Sequence, residues 1–401
     1  MLELRPILSA LWRHKISALL IAVQLGLTLA IVGNASVVIQ ERMERIARPT
    51  GVAVTDIVTA KFMPVAKDYD RLRAFRRDLD MIRQLPGVAA ATVSRVPLTG
   101  GGSRTGLHTK PNREVGATSS AQFWGDEQLV DALDMKLVAG RDFTASDITE
   151  TSFSSGWRPS KAIVTQQLAG ELFAGGEALG KAVYLGDEDN PIEIVGIVER
   201  NLGPWPNAPD AGNAVFYPAI MDTQWFDYVV RAEPGQRDAV AKLLEEKLAE
   251  HDPQRVVTVK TLQEQLDRYY AGDNTMIKVL SSVAGLLTFI VALGIVGLTV
   301  FWITQRQKQI GVRRALGATR SAISRYFLLE NLLIAVTGIL IGVAAAQIFN
   351  YFLASEFDQP ALPLSTTLSC ALILLGVSLT ATLVPALRAA NISPATATRS
   401  V

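Results

Sequence analysis

Four stretches of this chain, residues 16–40, 279–305, 331–355 and 359–387, contain no Asp, Glu, Lys or Arg. A helix needs about 20 residues to cross the apolar core of a bilayer, and each stretch is longer than that. One such stretch alone is compatible with a buried core helix. Four of them, in a chain that is 49% hydrophobic, point to lipid. The expected fold class is a membrane protein with four transmembrane α-helices and a large α+β domain inserted between helices 1 and 2. Arg5, Arg13 and Lys15 precede the first stretch, as in a signal peptide. Its apolar run exceeds the roughly 7–15 residues of a signal-peptide core and no clear A-x-A site follows, so it reads as an uncleaved anchor.

Basic residues in short flanks stay on the cytoplasmic side. The N-terminal flank, residues 1–15, carries three against Glu3, and the connection 306–330 carries Arg306, Lys308, Arg313, Arg314, Arg320 and Arg325. The turn between the third and fourth stretches has Glu356 and Asp358 and no basic residue, while Arg388 and Arg399 lie in the tail 388–401. All four flanks agree on one orientation, with both termini cytoplasmic in a multi-pass membrane protein. Residues 41–278 then lie outside.

That segment alternates between strand-like and helix-like patterns and is expected to fold. Residues 51–62 and 88–96 read as strands, with a helix over 69–85 ending at Pro86-Gly87. A glycine-rich loop over 100–106 precedes a strand at 118–124. Further on come strands at 162–164, 182–185 and 192–198, an exposed loop at 201–212, a strand at 227–231, a helix at 236–251 and a strand at 256–259. The alternation suggests an α+β domain, in one lobe or two.

Several chemistries are poorly supported. A net charge of +1 without a concentrated basic surface argues against nucleic acid. Cys370 is the one cysteine and sits in an apolar run, so a disulfide framework or thiolate metal site within the chain is excluded. Residues 175–182, GGEALGKA, resemble a phosphate-binding loop, but Ala182 stands where Mg²⁺ requires Ser or Thr. Gly100-Gly-Gly-Ser103 is not a nucleophile elbow, and His14, His108 and His251 lie far apart. The run 187–190 reads as a solvated turn before Pro191. The four stretches hold no charge of the kind proton relays and ion-coupled carriers use, so energy must come from elsewhere. Small residues recur at Ala22, Gly26 and Ala30 and at Gly338 and Gly342, a pattern that suits transmembrane dimer packing and packing within one chain alike.

The most informative stretch is 305–330, QRQKQIGVRRALGATRSAISRYFLLE. Gly311 and Gly317 bracket a short helical unit from which Val312, Ala315 and Leu316 are able to face a partner or the bilayer. Ile323, Phe327 and Leu328 suggest an amphipathic helix lying in the interface. An anionic-lipid anchor through Arg313, Arg314 and Arg320 fits the same periodicity.

Residues 310–342, IGVRRALGATRSAISRYFLLENLLIAVTGILIG, closely resemble the signature of the FtsX-like permease family, including its MacB-type members. VPALRAANISPATATR at 384–399 looks like that family's closing motif. LPGV at 85–88, LVAGRDF at 137–143 and the elements from 162 to 198 resemble its extracytoplasmic core domain, and TLQEQL at 261–266 its lead-in to the second span. The resemblance implies a permease subunit and not an enzyme. It also implies a separate cytoplasmic ABC ATPase dimer that carries ATP and Mg²⁺, a second permease copy or paralogue, and in some members a periplasmic adaptor. Gly311, Arg313, Arg314, Leu316 and Gly317 are the expected contacts to the ATPase. ATP-driven closure would then move the exported domain without substrate passing between the helices, for export of a peptide, small toxic compound or lipoprotein. Gln309 departs from the family's usual acidic residue, and no complete Walker A motif occurs in these residues. A membrane-anchored sensor is the rival class, but no output module accompanies it. A membrane-anchored hydrolase lacks a catalytic constellation.

Overall fold

A computed structural model describes residues 15–66, 68–111, 116–152, 155–175, 177–186, 189–357 and 360–391. Arg5, Arg13, His14, Gly176, Asp187, Glu188, Asp358 and the closing motif from residue 392 lie outside the described residues. The chain divides into a helical unit, built from residues up to Ile46 and from Gly272 onward, and an inserted domain, Ala47–Ala271.

Four helices of the first unit are long and apolar enough to cross a membrane: α1 (Lys15–Ile46), α7 (Ala271–Gln305), α9 (Arg320–Phe357) and α10 (Leu364–Ala390). At 1.5 Å per residue they run about 40–57 Å, beyond the roughly 30 Å of hydrocarbon. The excess corrects one expectation. Residues 320–330 do not form a separate interfacial helix but are the first turns of α9, since no Gly or Pro interrupts the chain before Asn331.

The small-residue stripe is used inside the chain. Ala22, Gly26 and Ala30 are all buried, and a Cβ built on Gly338 would stand 2.7 Å from the Ala22 carbonyl oxygen. One on Gly342 would stand 2.8 Å from Gly26 Cα, so α1 and α9 approach backbone to backbone. Ala30 continues the contact beside Ala346 and Leu362. Of the two uses open to the stripe, packing within the chain is the one the structure shows, since α9 covers it. Gly338→Val is expected to cost about 1–3 kcal/mol by overpacking, read as a lower melting temperature of the detergent-solubilised chain.

In the inserted domain, a four-stranded antiparallel sheet has the order β12-β1-β11-β2, with β1 (Ile57–Pro64), β2 (Val88–Ser94), β11 (Asp227–Ala232) and β12 (Arg255–Thr261). Helices α2 (Arg71–Ile82) and α5 (Arg237–His251) bury Phe75, Leu79, Ile82, Val240, Leu244 and Leu248 against it. Asp70 starts α2 by accepting the Arg73 N–H at 3.0 Å. Phe62 and Phe75 meet edge-on with centroids 5.4 Å apart, and Tyr228 and Arg255 both donate to the buried Asp78 carboxylate beside them.

The second sheet closes on itself. β4 (Thr118–Gly125), β3 (Ser103–His108), β8 (Ala182–Leu185), β9 (Ile192–Val198), β7 (Lys161–Thr165) and β10 (Ala214–Met221) pair in that order, and β10 pairs back to β4. The short strands β5 (Leu137–Gly140) and β6 (Thr149–Thr151) add to β9 and β10. Short helices α3 (Leu129–Ala132), α4 (Gln166–Leu172) and α6 (Leu262–Tyr269) complete the domain. Sequence reasoning missed β10 because all eight of its residues are buried, which removes the alternation a strand reading relies on. Its Pro218 lies beyond the β7 pairing and before the β6 pairing, so the missing N–H interrupts neither. Gly140, in the LVAGRDF motif, has φ +77°, and a Cβ there would run into the Val195 carbonyl of β9. Both sheets share one apolar core, which resolves the question of lobes: two sheets around a common interior.

Burial lifts the Asp227 carboxyl to about 6, against the pull of Lys61 and Lys260. Because the folded value lies above the ordinary 3.8, the native state holds the proton more tightly, and stability falls as pH rises from 3.8 towards 6. Asp227→Asn should remove that part of the fall and raise the unfolding midpoint at pH 7.5 but not at pH 3.5. Tryptophan fluorescence of the full chain in detergent reads the difference.

Candidate coupling site

The connection between α7 and α9 folds as a nine-residue helix, α8 (Gln307–Ala315). Arg306 alone separates it from α7, with its N–H bonded to the carbonyls of Trp302 and Ile303. At the other end the Gly317 N–H reaches the Arg314 carbonyl at 3.1 Å and the Ala318 N–H the Arg313 carbonyl at 3.0 Å. This double closure requires a left-handed residue, which Gly317 supplies at φ +96°. Thr319 then starts α9 by accepting the Ala322 N–H at 3.2 Å.

Helix α8 is seated by Ile310, buried in a cluster with Ile303, Ile323, Phe327, Ala386, Ala389 and Ala390. An open cleft of about 570 Å³ lies between α8 and the start of α9, with Arg313, Leu316, Gly317, Arg325 and Tyr326 among its walls. Leu316 is 83% exposed at its edge, and the Arg313 guanidinium stands 5.0 Å above the Tyr326 ring. Gln309, the departure from the family signature, is exposed and also lines the cleft.

Of the five expected contact residues, the fold brings Arg313, Leu316 and Gly317 to the cleft. Gly311 is buried, and Arg314 turns away, donating from Nη1 to the Ala390 carbonyl at 3.0 Å at the end of α10. Sequence reasoning missed one pair altogether. Arg306 Nη1 donates to both carboxylate oxygens of Glu330, each at 3.0 Å, with side chains 10% and 2% exposed. The signal was present: a basic residue just after the second apolar stretch and an acidic one just before the third.

The site thus presents a short, capped helix with exposed Val312, Ala315 and Leu316 and several cations, aimed away from the helical unit's core. Such a surface suits docking of another protein better than catalysis. Together with four spans and an α+β domain inserted between helices 1 and 2, it is the arrangement that the resemblance to FtsX-like permeases implies.

Family models agree with that class. The MacB-like periplasmic core domain matches residues 17–247 and the FtsX-like permease C-terminal domain residues 281–394. The chain belongs to the FtsX-like, MacB-type permease family. Similar curated proteins include the macrolide export ATP-binding/permease protein MacB of Neisseria gonorrhoeae, 25% identical over 79% of this chain and 48% of that protein. MacB 1/2 of Paracoccus denitrificans is 25% identical over 98% of this chain and 57% of its own length. The uncharacterized ABC transporter permease YknZ of Bacillus subtilis is 25% identical over 52% of each. The chain therefore spans about half the length of the curated relatives it matches. Among solved structures, the periplasmic region of MacB from Actinobacillus actinomycetemcomitans aligns over 53% of this chain and 92% of its own, at 17% identity and a TM-score of 0.34.

A Cβ on Gly317 would meet nothing within 4 Å, so its substitution tests backbone strain alone. Gly317→Ala is expected to cost about 1 kcal/mol in the closure of α8, seen as faster amide exchange at Gly317 and Ala318.

Proposed function

We propose that this chain is the permease subunit of an ABC-type exporter in the bacterial inner membrane, with both termini cytoplasmic. Helix α8 docks on a separate cytoplasmic ATPase dimer, which binds ATP and Mg²⁺. A second permease copy or paralogue completes the assembly, with a periplasmic adaptor as a further partner. Nucleotide-driven closure of the ATPases pushes α8, and the spans pass that motion to the inserted domain on the far side, a rigid-body switch biased by a ligand. The cargo class is a peptide, small toxic compound or lipoprotein.

The observation that carries this reading is the exposed Leu316 beside the basic cleft. With Val312 and Ala315, exposed at i and i+3 of the same face, Leu316 makes an apolar patch that suits a pocket on a partner, with Arg313 and Arg325 at its rim. The basic flanks at Arg306, Lys308 and Arg320 support the cytoplasmic side for α8.

Leu316→Asp, and separately Arg313→Glu, should each weaken ATPase binding. For Leu316 the expected loss is about 2 kcal/mol, roughly thirtyfold in Kd. Copurification of the solubilised complex with mass identification of every chain checks this. Full ATPase recovery with both variants would mean that α8 is not the docking element.

A further inference from the structure

Helix α8 is held to α9 by the turn at Gly317, whose surroundings are open. Such a turn is a pivot, so a push on α8 would be dissipated there by rotation unless something opposed it. Two contacts do so. At the start of α8, the Arg306 guanidinium grips both oxygens of Glu330 at 3.0 Å, about three turns into α9. At its end, Arg314 reaches the Ala390 carbonyl of α10. The residue after Glu330 extends the first grip: Asn331 Nδ2 donates to Ser378 Oγ at 2.8 Å and to the Ser378 carbonyl at 3.2 Å, which fixes α9 to α10.

Burying both members of an ion pair carries a desolvation cost that a pair of apolar side chains would avoid. What the pair provides is position, because Arg306 Nη1 lies 3.0 Å from both Glu330 oxygens and so ties the start of α8 to one point on α9. We propose that Arg306 and Glu330 are positioning residues, together forming the joint through which force on α8 enters α9 and α10 instead of being lost at Gly317. This deepens the docking role proposed above for α8 and rests on it.

The test uses the complete permease with its ATPase. Cys370→Ser removes the native thiol, and a polarity-sensitive dye on Met276→Cys, half-exposed near the start of α7, reports the change on nucleotide binding. Arg306→Gln and Glu330→Gln should each keep ATPase copurification and hydrolysis while the dye response falls roughly tenfold. The double variant should lose no more than either single one, as for two residues acting as one unit. An undiminished response in either single variant, or losses that add in the double, would overturn the joint. So would loss of the ATPase itself in the single variants, since the pair would then shape the docking face. If the Gln variants elute unfolded, Arg306→Lys decides, because it keeps the charge on a side chain one atom too short to put its nitrogen in the place of Nη1: a response at the unsubstituted level overturns the proposal and a diminished one supports it. Failure of the docking reading is distinguishable, because the unsubstituted permease would then recover no ATPase.

Discussion

A bilayer core offers no hydrogen-bond partner to a peptide N–H or a side-chain amide, so every polar group that enters it must be answered by the protein. Helices α1, α9 and α10 are arranged around that demand. Asn350 donates to Asn34 Oδ1 at 3.0 Å and accepts the Leu362 N–H at 2.8 Å, while Asn34 reaches the Ala346 carbonyl at 3.3 Å. Gln347 finds Thr367 at 3.0 Å, and Gln24 bridges to the Ile290 carbonyl of α7 at 3.3 Å. Each of these amides has its partner on another part of the chain. The spacing of α1 and α9 has a steric cause instead: Gly338 and Gly342 carry no Cβ, so the backbone of Ala22 and Gly26 lies against theirs.

Charge follows the same logic at the margins of the spans. Asp273, at the start of α7, meets Arg42 near the end of α1, and Arg306, just after α7, meets Glu330. The interior of α7 is apolar and presents Leu286, Phe289 and Leu293 outward. Helix α7 is thus held by ion pairs at both ends and, between them, by burying Val291, Ile295 and Trp302 in the bundle. The inserted domain solves a different problem. With no disulfide available it depends on the aromatic cluster around Phe62, Phe75 and Tyr228, and on Asp78 shared between Tyr228 and Arg255. Breaking such a buried set by removing one partner is far more costly than never having made it.

Much of this was legible beforehand wherever a local pattern carried it. Uncharged length marked the four spans, and the structure reproduces strands 182–185 and 192–198 at the expected bounds, where turns on both sides punctuate the chain. β3 was read as loop because glycines surround it, and β10 was not seen because closure of the second sheet buries it on both faces. A short helical unit was expected between Gly311 and Gly317, but α8 starts at Gln307 and holds Gly311 in its interior, so only Gly317 bounds it. The outward face of Val312, Ala315 and Leu316 was legible from their spacing, whereas nothing local tells that Ile310 faces inward and Arg314 towards α10.

Hydropathy, flank charge and a family signature act over tens of neighbouring residues, and so the order of residues is enough to read four spans, an inserted α+β domain, a short basic coupling segment and the permease class. Pairing across long separations has no local trace. It took the folded chain to show that the Ala22–Gly26–Ala30 stripe packs on Gly338 and Gly342, that six strands close into a ring, and that Arg306 meets Glu330. The physical reason is the same in each case: close backbone approach, strand order and buried charge pairing are settled by which surfaces meet, and a chain read in order shows only the surfaces.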